Sequence, residues 1–362
     1  MEKQSSSMEK MVREVDHKFW KDKKVFVTGH TGFKGSWLIS WLLQLGSKVM
    51  GYSLPISKEN YLYNKIKHNL DNNIDQTFSN ILKREFLNES IKKFQPDIIF
   101  HLAAQPLVRR SYLYPLETWE TNLIGTLNIL NSLKEIKKDC SLIIITTDKV
   151  YKNKEWIFPY RENDELGGYD PYSASKAATE IAISSWRSSF NDNDSIYKIS
   201  SARSGNVIGG GDWSEDRILP DAIKSLINSE IIKIRNPYST RPWQHVLEPL
   251  SGYLELAKKI YLESDNNKYC EPYNFGPCIR SNKTVKDVLQ EISKYCDYEV
   301  KFNEKSNEFH EASNLNLQID KSYHKLGWFP KWEFPKTIER TMNWYKDTKN
   351  KIVTPEEACL RD

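Results

Sequence analysis

The sequence predicts an α/β protein in which a doubly wound parallel sheet carries a smaller mixed α/β lobe. Three observations lead there. Short apolar runs such as Lys24-Val25-Phe26-Val27 and Leu142-Ile143-Ile144-Ile145 alternate with helical stretches, and such runs suit strands buried on both faces. Gly29, Gly32 and Gly35 fall at the turn from the first strand into a helix. After Arg203 the alternation gives way to Gly205-Asn206-Val207-Ile208-Gly209-Gly210-Gly211-Asp212-Trp213, and later segments mix strands and helices less regularly.

Taken in order, residues 1–17 are polar and charged and read as a tail or a short cap helix. The first strand, from Lys24, runs into Thr28-Gly29-His30-Thr31-Gly32-Phe33-Lys34-Gly35. An amphipathic helix follows, with Trp37, Leu38, Trp41, Leu42 and Leu45 on one face, and Gly46 stops it. Residues 48–54 are the next strand. Residues 85–94 read as a helix, 97–103 as a strand and 116–134 as a long helix. The strand from Leu142 and a helix carrying Tyr172 complete the alternation, which builds a doubly wound sheet. The dinucleotide-binding domain is expected over residues 18–204 with a returning segment at about 240–268. Residues 205–239 and 269–350 form the lobe.

Composition removes several function classes. With 362 residues, 39% of them hydrophobic and 28% charged, a large core is available. The formal net charge of +4 is small, and the lysines are dispersed among acids rather than gathered into a nucleic-acid-binding stripe. The five cysteines form no Cys-x-x-Cys and no histidine stands at metal spacing, so no metal site is expected and the thiols read as reduced. The start shows no cleavable signal pattern. The most apolar helix candidate, residues 37–45, is too short to span a bilayer, which points to a cytoplasmic protein.

Two motifs carry chemistry. Glycines at the first strand-to-helix turn allow a tight bend and let backbone N–H groups approach a pyrophosphate at a helix N-terminus. No Gly-Lys-Ser/Thr follows the first glycine at P-loop spacing, so the loop reads as dinucleotide-binding. The Leu142 strand delivers Thr146-Thr147-Asp148-Lys149 to its carboxyl end, where ligands bind in open α/β sheets. Pro171 suits the first turn of a helix, which places Tyr172 and Lys176 one turn apart on one face. A lysine ammonium there favours the phenolate, drawing it below the ordinary value of about 10, so the pair can take a proton from a sugar hydroxyl.

These residues resemble the extended short-chain dehydrogenase/reductase superfamily, and within it the nucleotide-sugar 4,6-dehydratases, especially those acting on CDP-glucose. The resemblance spans residues 19–346. Besides the glycine loop, its markers are His101-Leu102-Ala103-Ala104-Gln105-Pro106-Leu107-Val108-Arg109, Thr147-Asp148-Lys149, Gly167-Gly168-Tyr169-Asp170-Pro171-Tyr172, the Gly205 to Trp213 loop and Arg241-Pro242-Trp243-Gln244-His245-Val246. It implies a Rossmann-type fold, a retained NAD, a CDP-glucose substrate and a homodimer. Tyr172, assisted by Lys176, would remove the 4-hydroxyl proton while C4 gives hydride to NAD, with Thr147 hydrogen-bonded to the 4-oxygen. Loss of the C5 proton and the C6 hydroxyl follows, and hydride returns to C6.

Many relatives have Asp-Glu where this chain has Asp148-Lys149. An unprotonated Lys149 can serve as the C5 base, and a desolvated, protonated Asp148 as the acid at C6. The plainer reading is a surface ion pair. The resemblance assigns NAD to Gly29, His30, Thr31, Gly32, Phe33, Lys34, Gly35, Ser53, Asn80, Ile81, Leu102, Ala103 and Ala104, with Tyr172 and Lys176. It assigns the substrate to Gln105, Arg109, Asn122, Asn206, Arg217, Arg235, Arg241 and His245. Asn122 would also fix the nearby helix, and Arg241 suits a diphosphate.

The second strand ends Gly51-Tyr52-Ser53-Leu54 without the acid that commonly holds the adenosine ribose, and Asn80 stands where relatives have Asp. Both departures suggest loosely held NAD. His30 and Lys34 could favour extra negative charge, yet no arginine cluster marks a 2′-phosphate pocket. A nucleotide-sugar C4 epimerase, a dehydratase for another nucleotide sugar such as a UDP-N-acetylhexosamine, and an inactive NAD-binding regulator are the alternatives. Asp148-Lys149, the distance from Lys149 to Tyr172, and the intact Thr147, Tyr172 and Lys176 argue against them in turn.

Overall fold

The structure, a computed structural model, describes residues 16–70, 72–190, 196–234, 236–265, 268–296, 298–302 and 314–362. Residues 1–15 and Arg235 therefore lie outside the described residues. His17 opens a single helical turn, His17–Trp20, capped by the Asp16 carboxylate, which accepts from the Phe19 N–H, and Trp20 is buried. This turn meets the end of the stretch expected to be a tail or a short cap helix.

A seven-stranded parallel sheet organises the rest. Its strands are β1 (Lys24–Thr28), β2 (Lys48–Ser53), β3 (Ile74–Phe78), β4 (Ile98–His101), β5 (Cys140–Ile145), β6 (Tyr197–Arg203) and β7 (Pro272–Asn274). Their order is β7-β6-β5-β4-β1-β2-β3, every neighbour parallel. Alternate side chains feed two cores: Val25, Val27, Phe100, Ile143 and Ile145 on one face, Phe26, Ile99, Leu142 and Ile144 on the other. Burial of both faces is why these strands read as unbroken apolar runs. The strand order reverses between β1 and β4, and a crevice opens beyond their carboxyl ends.

Helices α1 (Phe33–Gln44), α2 (Tyr61–Leu70) and α3 (Arg84–Phe94) flank β1 to β4. The sequence reading contained neither α2 nor β3. β3 reads Ile-Asp-Gln-Thr-Phe at the edge of the sheet, half exposed, and gives no apolar run. A short helix, α4 (Val108–Leu113), comes first, and the helix expected over 116–134 follows as α5 (Pro115–Trp119), a π-helical turn at Glu120–Ile124 and α6 (Gly125–Ser132) in continuous succession. The Asn122 carbonyl accepts from the hydroxyls of Thr126 (2.7 Å) and Thr179 (3.1 Å), which hold the irregular turn. Single π turns inside helices concentrate at functional sites. Helix α7 (Pro171–Phe190) begins at Asp170, whose carboxylate accepts from the N–H and hydroxyl of Ser173.

Beyond β6 the lobe is built from α8 (Ile218–Asn228) and two-stranded ribbons pairing Ile232–Ile234 with Val300–Phe302 and Thr240–Pro242 with Asn282–Thr284. Helix α9 (Leu247–Leu262) returns to cover β5 and β6. β7 then joins the sheet edge, pairing with Ser201 to Arg203, so this stretch of the expected lobe belongs to the sheet. Helix α10 (Val285–Ile292) belongs to the lobe. Helix α11 (Phe334–Lys349) lays Trp344 against Gly210, where a Cβ would meet the indole at 2.0 Å. Among the described residues no helix is long and apolar enough to cross a membrane.

Candidate active site

The carboxyl ends of the strands open into a cavity of about 2300 Å³ between sheet and lobe. That exceeds the roughly 300–1,000 Å³ of a cleft for one drug-sized ligand, so two large ligands can occupy it together. Gly29, Thr31, Gly32, Phe33, Lys34 and Gly35 line one end with Ser53, Asn80, Ile81, Leu102, Ala103 and Ala104. Thr147, Asp148, Lys149, Tyr172 and Lys176 line the middle, while Arg109, Asn206, Arg217 and Arg241 lie towards the lobe. The structure thus brings most of the expected residues to one cavity.

The glycine turn is sterically obligatory. Gly29 has φ +70°, and a Cβ there would lie 2.8 Å from the Ala103 nitrogen; at Gly35 it would lie 2.2 Å from the Gly29 carbonyl oxygen. Bare backbone at the start of α1 is the cradle a pyrophosphate requires. No acid stands at the end of β2: Ser53 lines the cavity, its hydroxyl 3.1 Å from that of Thr31.

At the end of β5 the Thr147 hydroxyl donates to Asp148 Oδ1 (2.9 Å) and hydrogen-bonds the Tyr172 phenol. Asp148 is fully buried. Its Oδ1 also receives Lys149 Nζ at 3.3 Å, whereas its Oδ2 has no partner among the described residues. Gly205 makes room for it, since a Cβ there would fall 1.8 Å from Oδ2. The ion pair expected on the plainer reading exists, but it lines the cavity rather than the outer surface.

One electrostatic expectation is overturned. Burial pushes the Tyr172 phenol up to about 12, outweighing the Thr147 hydrogen bond. Lys176 donates instead to the Ile145 carbonyl oxygen at 3.2 Å. Burial pushes its own amine down to about 8 against the pull of Glu180, leaving it cationic at neutral pH.

Four assignments need correction. His30 turns away from the cavity into the sheet, its ring against Gly51 and its Nε2 3.1 Å from Gln76 Oε1. Gln105 is buried, its amide spent on the Leu107 carbonyl and Thr118 hydroxyl. Asn122 is fully buried and bridges the Gln105 backbone to Ser175 Oγ (2.9 Å), so it fixes the π turn against α7 rather than lining the cavity. His245 packs between Trp37 and Trp332, and burial keeps its imidazole neutral, down to about 3. In each case a side chain from a site motif is consumed by packing.

Lys34 departs differently. It reaches past the glycine loop to Ser204 Oγ (2.9 Å), and Ser204 in turn meets the Tyr253 hydroxyl. Burial, with Arg217 nearby, brings its amine down to about 7. In the lobe, Arg217 pairs with Asp212 (3.0 Å), Arg109 with Asp216 (3.1 Å), and Arg241 donates to the Thr240 carbonyl. Asn206 adopts φ +45°, and its buried Oδ1 has no partner among the described residues. The sequence reading missed Ser204, Tyr253, Glu180 and Arg203. Only Glu180 left a sequence signal, an acid one helical turn beyond Lys176.

A glycine-turn Rossmann domain joined to a Thr–Tyr–Lys cluster under a lobe defines an extended short-chain dehydrogenase/reductase. Residues 26–341 match the family described as GDP-mannose 4,6 dehydratase, and the chain belongs to it. It is 44% identical over 338 residues to the CDP-glucose 4,6-dehydratase of Salmonella typhimurium, covering 92% of this chain and 93% of that one. Among solved structures it is similar to a dTDP-glucose 4,6-dehydratase from Streptomyces venezuelae with NAD bound (TM-score 0.77, 19% identity, 90% and 98% of the chains). It is equally similar to a UDP-glucuronic acid 4-epimerase from Bacillus cereus (TM-score 0.77, 21% identity, 90% and 99%).

Proposed function

We propose that this protein dehydrates CDP-D-glucose to CDP-4-dehydro-6-deoxy-D-glucose with NAD as a recycled cofactor. The observation that carries the chemistry is the pairing of Asp148 and Lys149 inside the cavity that also holds Thr147, Tyr172 and Lys176. An epimerase has no need of an acid–base pair for C5 and C6. The cytidine assignment is supported by the 44% identity to the Salmonella enzyme.

The bare glycine turn would hold the pyrophosphate of NAD, and Ser53, Asn80 and Ile81 would line its adenosine end. When bound it accepts hydride from C4 and returns it to C6. Thr147 holds the sugar's 4-oxygen next to Tyr172. The phenol is neutral in the ligand-free protein, so it must first lose its proton to water in the cavity, a loss that the Lys176 ammonium favours, and the phenolate then takes the 4-hydroxyl proton. Once the proton of the pair has passed from Lys149 to Asp148, Lys149 takes the C5 proton, now acidified by the 4-ketone, and Asp148 gives its proton to the departing C6 hydroxyl, which leaves as water. Arg217 and Arg241 suit the diphosphate.

A homodimer completes the reading. Leu130 is buried in the sheet core, and Leu127 and Trp186 pack against that core. Leu113, Tyr114, Leu116, Ile124 and Ile181 are exposed instead, on α7 and the segments packed beside it. They support a twofold pairing of those helices, which light scattering at micromolar concentration checks.

The deciding assay is incubation with NAD and a panel of glucose and hexosamine nucleotides. A 4-keto product from CDP-glucose is expected. A 4-epimer, or preference for another nucleotide, would overturn the reaction or the substrate respectively.

A further inference from the structure

Behind the end of β5 lies a second polar cluster that the chemistry above does not use. Glu180 stands one turn beyond Lys176 on α7 and is 2% exposed. Its Oε1 accepts from the Thr146 hydroxyl at 2.5 Å, and its Oε2 from Ser201 Oγ at 2.7 Å and Arg203 Nη2 at 2.9 Å. Arg203 continues to the Tyr151 hydroxyl (2.9 Å) and the Glu162 carbonyl (3.0 Å). Glu180, Ser201 and Arg203 do not line the cavity. Lys176 is anchored to the same strand end through the Ile145 carbonyl, one residue before Thr146.

A buried lysine without a counter-ion sheds its proton, and a neutral amine gives a phenolate nothing. Around Lys176 stand Tyr172 and Glu180 from its own helix, Lys34 from α1 and neutral His101 from β4, while Asp148 and Lys149 after β5 line the same cavity and Arg203 on β6 pairs with Glu180. Glu180 is the charge that draws the Lys176 amine upward. A buried carboxylate would itself tend to protonate, but the Arg203 ion pair and the hydroxyls of Thr146 and Ser201 hold it below the ordinary carboxylate range.

We propose that Glu180 is a positioning residue that keeps Lys176 an ammonium ion beside Tyr172, with Arg203 keeping Glu180 ionised. The proposal rests on the tyrosine–lysine reading of the hydride step. It assigns the rear cluster a task in the reaction rather than in stability alone.

The test reads the charge of Lys176 directly. Full-length protein is labelled at its amines across a pH series, and the labelled fraction at Lys176 is followed by mass spectrometry, without sugar or cofactor. In Glu180→Gln the titration midpoint of Lys176 should fall by about one pH unit or more, and in Arg203→Gln it should fall as well, because Glu180 loses the cation that keeps it ionised. Arg203→Lys keeps a cation there and should hold the midpoint near its native value, which damage to packing would not. An unchanged midpoint in Glu180→Gln, or a midpoint in Arg203→Lys as low as in Arg203→Gln, overturns the proposal. Should Glu180→Gln not fold, the two Arg203 variants decide alone: a fall in Arg203→Gln that Arg203→Lys restores supports the pairing and anything else sinks it. The alkaline limb of CDP-glucose turnover should move with the midpoint. Shifted labelling with an unmoved limb would leave the charge pairing intact and refute the catalytic role of Lys176 instead.

Discussion

The front and the rear of the β5 terminus hold two carboxyl groups in equal burial and opposite condition. Asp148, facing the cavity, has one oxygen shared by Thr147 and Lys149 and the other without a partner among the described residues. Glu180, facing the rear, has both oxygens filled by three donors, one of them a guanidinium. Leaving a buried acceptor unsatisfied costs about 1–3 kcal/mol. Such a cost is borne where a reacting group will fill the vacancy. Burial alone therefore does not mark a catalytic acid. On the proposed reading the incomplete partner set belongs to the acid, and the complete set to a residue that holds others in place.

If that division is right, substitutions at the front abolish chemistry without disturbing the fold. The largest effect belongs to Tyr172→Phe, which should bind CDP-glucose normally and lose turnover by on the order of 10²- to 10⁴-fold, as for loss of an acid–base group. Near-native turnover would remove Tyr172 from the reaction. Next comes Lys149→Met, which deletes the amine at nearly constant length. It should stall after C4 oxidation, with NADH absorbance appearing and no 6-deoxy product. Deuterium placed at C4 should then stay on the cofactor, whereas the native enzyme delivers it to C6. Native product formation by Lys149→Met would reassign the C5 base. Asp148→Asn should stall less completely, because water can partly protonate the leaving oxygen.

A smaller effect sharpens the contrast at the cofactor end, where the structure offers Ser53 in place of an acid. The protein should release NAD on dialysis and be stimulated by its return. Ser53→Asp should tighten NAD, measured by calorimetry as a lower Kd. An unchanged Kd would mean that this position does not meet the ribose.

Most of the fold was legible because a parallel sheet writes itself as apolar runs and a glycine turn. β1, β2, β4, β5 and α7 fall within a few residues of expectation. β3 was silent because an edge strand with one exposed face can be polar, and β7 because three residues cannot form a pattern. At the site, residues defined by backbone placement (the glycines, Thr147, Asp148, Lys149, Tyr172, Lys176) were readable from spacing. His30, Gln105 and His245 were misread, and Asn122 only as a substrate contact since it does fix the nearby helix, because a motif fixes where a residue sits and not which way its side chain turns. Glu180 was visible as Tyr-x-x-x-Lys-x-x-x-Glu, yet its importance depends on Arg203, a residue on another strand.

A third buried carboxyl tests whether partners, rather than burial, set the state of these acids. Glu248 on α9 is 1% exposed and accepts from the backbone N–H groups of Lys331 (3.1 Å) and Trp332 (2.7 Å). Among the described residues no ion pair like that of Glu180 with Arg203 holds it. Burial, only partly offset by those two N–H groups, pushes it up to about 7 from an ordinary 4.5. A group whose value is raised on folding contributes stability in full below its unfolded value and loses it as pH climbs through the folded one. Between about pH 4.5 and 7 the loss is roughly two and a half pH units at about 1.4 kcal/mol each, on the order of 3 kcal/mol. Glu248→Gln has no proton to lose and keeps an acceptor for the two N–H groups. Denaturant midpoints from pH 5 to 8 should therefore fall more steeply for the native protein than for the variant, the gap moving in the variant's favour as pH rises. Parallel curves would show that Glu248 titrates as an ordinary acid and that two backbone N–H groups suffice in place of a cation.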